Sequence, residues 1–186
     1  MQIILASQSP RRRELLGLLR VPFTVKAADI DETMDPAKAA YDEVARLSYE
    51  KAAAVERESG DIVIAADTIV VCDGAVLGKP KDEAQAKAML TLLSGRDHQV
   101  MTGMTLRRGN RAITSTTVTD IHFRQLSQQE IDDYVATGEP MDKAGAYGIQ
   151  GYAAPFAEHL VGDYYNVMGL PVCRLSQDLK KIMEDT

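Results

Sequence analysis

Residues 3–16 read IILASQSPRRRELL, and most of the fold follows from them. Ile3, Ile4 and Leu5 have the character of a short buried strand, and a tight polar loop follows. Ser9 is a good helix N-cap and Pro10 fits the first helical position, so a helix is expected over about residues 10–19. A strand that runs through a short loop into a helix is the opening of an α/β fold. The helix starts with the wrong charges. Arg11, Arg12 and Arg13 occupy the first turn, where the helix dipole favours anions and a capping box would place Glu or Gln. A serine-bearing loop, a helix N-terminus and clustered arginines together describe an anion site suited to phosphates. The alternative is a solvated basic turn.

The rest of the chain sets that cluster in an acidic background. Lys and Arg number 21 against 27 Asp and Glu, a net charge of −6. This argues against a protein that coats nucleic acid, because general attraction to phosphates would be missing. The 186 residues are enough for one domain, or a domain with a small lobe, with a real core. No apolar run approaches a transmembrane span, and the early arginines are unlike a signal peptide. Cys72 and Cys173 lie in separate apolar settings without a CxxC pair. They are expected to be buried free thiols, which favours the cytoplasm.

Residues 62–71, IVIAADTIVV, are apolar on both alternating faces, as expected of a strand covered on both sides. Asp67 and Thr68 interrupt it. A carboxylate there is costly unless a cation, a metal or hydrogen-bond donors compensate it, so Asp67 is the first catalytic candidate. Its alternative is a strand-end aspartate bonded to local backbone. Asp73-Gly74 marks a hairpin, and Gly78-Lys79-Pro80 closes a short strand over 75–77. GAVLGKP is not a P-loop: it is one residue short and has Pro where a magnesium-binding Ser or Thr belongs.

Elsewhere, residues 21–26 suggest a short strand. Asp29, Asp31 and Glu32 form an acidic loop, either solvated or able to bind a hard cation. Helical spacing runs over 36–59, where Lys51 on its own reads as solvent-facing. A helix is expected over 82–93, a long antiparallel hairpin over 99–106 and 112–123, and a helix from the capping box at Ser127 and Glu130 to about residue 137. Residues 141–151, MDKAGAYGIQG, form a Gly-rich loop able to bring backbone close to a ligand. A last strand over 156–161 and a helix over 170–183 follow, joined by a polar and aromatic connection at 163–166. His98, His122 and His159 lack metal-site spacing and read as ordinary residues. One α/β domain spans 1–186, with the hairpin and its neighbours as a second lobe.

LASQSPRRRELL, AADTIV followed by LGKP, and MDKAGAYGIQG occur together in this order, and in that combination the chain resembles the Maf family of nucleoside-triphosphate pyrophosphatases. The resemblance covers essentially the whole chain. It implies a mixed twisted sheet flanked by helices, Maf/ITPase-like, in two lobes with a substrate cleft between them. It also implies hydrolysis of a nucleoside triphosphate between the α and β phosphates with a divalent metal, Mg²⁺ or Mn²⁺. Asp67 would activate water. Ser7, Ser9, Arg11 and Arg12 would cradle the phosphates with Lys51 and Lys79, and Glu32 would join Asp67 at the metal. Arg11, Thr68 and Gln150 match the dTTP/UTP subgroup, and modified pyrimidine triphosphates fall in the same chemical class. A side-chain amide can pair with the O4 and N3–H edge of uracil or thymine. The resemblance further suggests a homodimer acting on free nucleotides in the cytoplasm. Two competitors remain at this point: a pyrophosphatase for modified purine triphosphates, and a non-catalytic nucleotide sensor that regulates cell division.

Overall fold

The computed structural model describes residues 1–184. Its elements in chain order are β1 (Ile3–Leu5), α1 (Pro10–Gly17), β2 (Thr24–Val25), α2 (Ala40–Ala54), β3 (Ile62–Cys72), β4 (Ala75–Leu77), α3 (Glu83–Leu93), β5 (Asp97–Arg108), β6 (Arg111–Phe123), α4 (Gln128–Ala136), β7 (Ala157–Val161), α5 (Tyr164–Val167) and α6 (Val172–Glu184). The strands form one mixed seven-stranded sheet of order β2-β1-β3-β5-β6-β7, with β4 paired to β3. β1 runs parallel to both β2 and β3, whereas β4 is antiparallel to β3 and β7 to β6. The mixed α/β architecture expected from the sequence is the one observed.

The chain forms two compact units. The first comprises Met1–Asp67, Thr102–Thr117 and the chain from Gly169 onward; the second comprises Thr68–Met101 and Val118–Met168. Strands β3, β5 and β6 are long enough to contribute to both.

In the first unit, α2 packs on the sheet through Val44, Leu47, Ser48, Lys51 and Ala52, all buried. These positions recur every three or four residues, the spacing of one helix face. Gly103 of β5 permits the close approach: a Cβ there would fall 2.2 Å from the Val44 carbonyl oxygen. Any side chain would push the helix outward, and Lys51 with it. A polar ladder lies beside this contact, with Ser48 Oγ 2.8 Å from Thr105 Oγ1, which is 2.9 Å from Thr114 Oγ1. Ile4, Ala6, Ala52, Val55, Val63 and Ala65 make an adjoining core cluster. Burying such side chains stabilises by roughly 1.5–3 kcal/mol for each large aliphatic.

The second unit has a larger, more aromatic core. Phe123 meets Tyr147 and Phe156 edge-on, and Tyr134 meets Phe156 in the same way. His98 joins this cluster, its Nε2 2.9 Å from the Tyr147 hydroxyl and its ring edge-on to Phe123. Burial pushes the His98 pKa down to about 4.

Local expectations met several corrections. α2 begins at Ala40 and ends at Ala54, shorter than 36–59, because Val55 already has an extended backbone. The strand expected over 21–26 contracts to Thr24–Val25, and the connection at 163–166 contains a short helix N-capped by Asp163. Cys72 is buried as expected, but Cys173 is exposed, because it lies on the opposite face of α6 from buried Leu175, Asp178, Leu179 and Ile182. No described helix is long and apolar enough to cross a membrane.

Candidate active site

The polar centre of the first unit begins with Asp67. It ends the stretch of β3 in which Ile62, Val63, Ile64, Ala65 and Ala66 are all fully buried. Its side chain is only 12% exposed, and its Oδ1 lies 2.6 Å from Nζ of Lys51, itself 9% exposed. The same Nζ lies 2.9 Å from Oε1 of Glu32, whose side chain is 57% exposed. One ammonium therefore bridges two carboxylates drawn from different elements, a buried one and a solvent-facing one. Lys51 is not the solvent-facing helical lysine expected from its residue type. It stands three and four residues from Ser48 and Leu47 on the buried stripe of α2, and that periodicity was the signal for it.

The loop carrying Glu32 is anchored rather than loose. Thr33 bonds to the Asp31 carboxylate, and Arg46 donates 2.9 Å to the Thr33 carbonyl. Glu43 accepts from the Asp35 N–H at 2.8 Å and from Arg46, whose bonds hold the Glu43 carboxyl down at about 2. Glu43 and Arg46 thus clamp the acidic loop onto α2. Neither stood out in the sequence, where the pair reads as an ordinary i, i+3 surface contact.

The β1–α1 loop forms as its residues dictate. Ser9 caps α1 by accepting from the Arg12 N–H, and Pro10 takes the first helical position. Ser7 is buried, and its Oγ accepts from the Ser9 N–H at 3.2 Å and from an Arg12 guanidinium nitrogen at 3.3 Å. Arg12 Nε donates 2.8 Å to the Gly169 carbonyl, just before α6. Burial lowers the Arg12 pKa, against the fields of Asp67 and Glu32, which raise it; Arg11 adds a further lowering. The guanidinium is thus held by a hydroxyl and a carbonyl within the field of both carboxylates. Ser7, Ser9, Arg11, Arg12, Glu32, Lys51 and Asp67 form one constellation.

The donor set suits a hard divalent cation. Asp67 and Glu32 converge on the same Nζ with oxygen atoms only, and two carboxylates plus water and phosphate oxygens are what Mg²⁺ or Mn²⁺ selects. Such an ion would polarise phosphate oxygens and acidify bound water.

Thr68, Lys79 and Gln150 belong to the second unit. Thr68 follows Asp67 on β3 and is half-buried; Lys79 and Gln150 are exposed. The turn bearing Lys79 and the loop bearing Gln150 are tied together, because the Gly145 N–H donates 3.1 Å to the Gly78 carbonyl. Gly145 has φ +67°, and a Cβ there would strike Val70, so glycine is required on both counts. Beneath the loop, Tyr134 donates 2.9 Å to Glu139 Oε1 and accepts from the Gly148 N–H. Glu139 also accepts from the Tyr152 N–H, and Lys143 reaches back to the Glu139 carbonyl. Burial pushes the Tyr134 hydroxyl pKa upward. Tyr134, Glu139 and Lys143 scaffold the loop tip at Gln150. The bonds to Gly148 and Tyr152 span 14 and 13 residues, a separation that leaves no local sign in the sequence.

The sequence profile of Maf-like proteins matches residues 2–182. A dTTP/UTP pyrophosphatase of Bacillus cytotoxicus is 50% identical over 181 residues, covering 97% of this chain and 95% of the relative. Another, from Bacillus mycoides, is 48% identical over 185 residues, covering 99% and 97%. Among solved structures, a HAM1 protein from Coxiella burnetii aligns with TM-score 0.51 at 16% identity, over 97% of this chain and 99% of that one. The Staphylococcus aureus Ham1 protein aligns with TM-score 0.50 at 14% identity, over 96% and 100%. At these identities the structural likeness concerns the fold.

Proposed function

The chain belongs to the family of Maf-like proteins, and on that premise we propose that it is a nucleoside triphosphate pyrophosphatase hydrolysing dTTP and UTP to the monophosphate and pyrophosphate. The observation that carries the reading is the buried Asp67 carboxylate, held 2.6 Å from Lys51 beside the arginine-bearing loop of β1 and α1.

The chemistry follows from these groups. Water attacks the α-phosphorus in line with the bond to the β-phosphate; the new O–P bond forms as the P–O–P bridge breaks, and pyrophosphate leaves. Asp67 accepts the proton of that water, and Lys51 fixes the carboxylate in place. Arg11, Arg12 and the Ser7 and Ser9 hydroxyls neutralise and hold the non-bridging oxygens, whose charge must be stabilised as the bridge breaks. Lys79 contributes a further cation to the triphosphate. Glu32 and Asp67 hold the divalent metal, Mg²⁺ or Mn²⁺, as their shared oxygen-donor character supports.

The Gln150 amide reads the base: its oxygen accepts from N3–H and its nitrogen donates to O4 of uracil or thymine. Cytosine presents a donor at its 4-position and is rejected by an amide held in one orientation. Arg11 and Thr68 complete the specificity set that the family resemblance suggests. Modified pyrimidine triphosphates that retain this edge are substrates by the same argument. Its proposed substrates are free nucleotides, which favours the cytoplasm, and the family resemblance supports a homodimer.

The test is pyrophosphate release from the common ribo- and deoxyribonucleoside triphosphates with Mg²⁺ or Mn²⁺. Selective release from dTTP and UTP is expected. Equal release from purine nucleotides would discard the Gln150 assignment, and tight binding without release would discard catalysis.

A further inference from the structure

The strand pairing of the second unit assembles a group of side chains that the pyrophosphatase chemistry does not use. His122 of β6 lies opposite His159 of β7 in the antiparallel ladder. Their imidazole rings stack with centroids 5.0 Å apart and planes within 7°. Asp97, at the start of β5, places Oδ1 2.8 Å from His122 Nδ1. One ligand atom from each of Asp97, His122 and His159 lies within 4.8 Å of the others. A β-bulge between His122 and Phe123 adds Glu158, whose Oε2 is 3.8 Å from His122 Nε2. The two ring nitrogens of His122 thus face two different carboxylates.

We propose that Asp97, His122 and His159 form a binding site for a first-row divalent transition ion of the Zn²⁺, Ni²⁺ or Cu²⁺ class, clipping β5, β6 and β7 together. Imidazole nitrogen with one carboxylate oxygen is the donor set these ions prefer, and it differs from the all-oxygen pair at Asp67 and Glu32. Ligand atoms about 3.4 Å apart surround a tetrahedral Zn²⁺ with bonds of about 2.0–2.2 Å. The Asp97–His122 pair is already near that spacing, so the ion takes the place of the proton between them. Cross-strand partners on one face are side by side, so His159 closes on the same point by side-chain rotation. Glu158, 3.8 Å from the other ring nitrogen, lies on the side where a carboxylate stands behind a metal-bound histidine. His159 and Asp97 are exposed and His122 is half-buried, so the ion enters directly from solvent. β7 is the last strand of the sheet, where a clip across three strands has most to hold.

His98, His122 and His159 are the only histidines, which makes the test selective. Tag-free protein without nucleotide is titrated with Zn²⁺ while imidazole resonances are followed by NMR. The expected result is saturation at one Zn²⁺ per chain, with His122 and His159 shifting together and buried His98 unmoved. His159→Gln and His122→Gln should each weaken Zn²⁺ binding at least tenfold and abolish a Zn²⁺-dependent rise in Tm, whereas Asp67→Asn should leave both intact. Unmoved His122 and His159 resonances at equimolar Zn²⁺, or equal Zn²⁺ affinity in the doubly substituted His122→Gln, His159→Gln protein, would overturn the proposal.

Discussion

Asp67 and Asp178 are both buried carboxylates of the first unit, and each is paired with a cation, but the pairs are built differently. Asp178 is completely inaccessible, on the inner face of α6. Its partners are on its own helix: Arg174 Nε at 2.7 Å and Lys181 Nζ at 3.7 Å, both with exposed side chains. Asp67 lies on a strand and takes its cation from α2, which shares it with a loop carboxylate, while Arg12 adds its field from α1. A helix-local pair forms whenever i, i+3 and i+4 spacing allows and serves packing. Convergence of several elements on one carboxylate that still reaches solvent is a different arrangement, and the proposed role of Asp67 rests on it.

The substitution expected to separate the two most is Asp67→Asn. It should lower kcat by about 10³-fold or more while the protein stays folded, because the amide cannot take the proton from water. Steady-state pyrophosphate release with a parallel thermal melt reads both quantities. Lys51→Met comes next, with a loss of about 10²-fold, because Asp67 is left without the cation that positions it. If Lys51 only balanced charge in a structural pair, Lys51→Met would shift Tm and leave turnover alone. Asp178→Asn should do the reverse of Asp67→Asn: about 1–3 kcal/mol lower stability in urea, with kcat per folded molecule unchanged.

How far the sequence anticipated this contrast depends on how local each signal was. The Ser9 cap, the Ser127–Glu130 capping box and the Asp67 interruption of an apolar strand are short-range, and each formed as read. Residue type alone points Lys51 to solvent, but position overrides it: Val44, Leu47, Ser48 and Ala52 define a buried stripe that includes it. Gly103 against α2, and the bonds from Tyr134 to Gly148 and from Tyr152 to Glu139 beneath the Gln150 loop, join separate segments, which no local pattern records. The pairing of His122 with His159 depends on the register of two strands, and register is a property of the folded sheet.

A smaller effect contrasts the two units in acid. The folded pKa of His98 lies near 4, below that of a free imidazole, so the unfolded chain binds the proton more readily. The associated stability is fully present above about pH 6.5 and is lost as the pH falls toward 4, amounting to roughly 2 kcal/mol by pH 5. His98→Gln should flatten that part of the urea-midpoint profile while leaving activity at neutral pH in place. A profile unchanged by the substitution would remove His98 as its source.

Whether Asp67 is the water-activating carboxylate of a pyrimidine triphosphate pyrophosphatase is decided by one paired assay. Pyrophosphate release from dTTP and UTP is measured for the wild-type protein and for Asp67→Asn, alongside nucleotide binding by each. Rapid release by the wild type and about 10³-fold less by the variant is expected, with binding retained. Full turnover by Asp67→Asn would contradict that role.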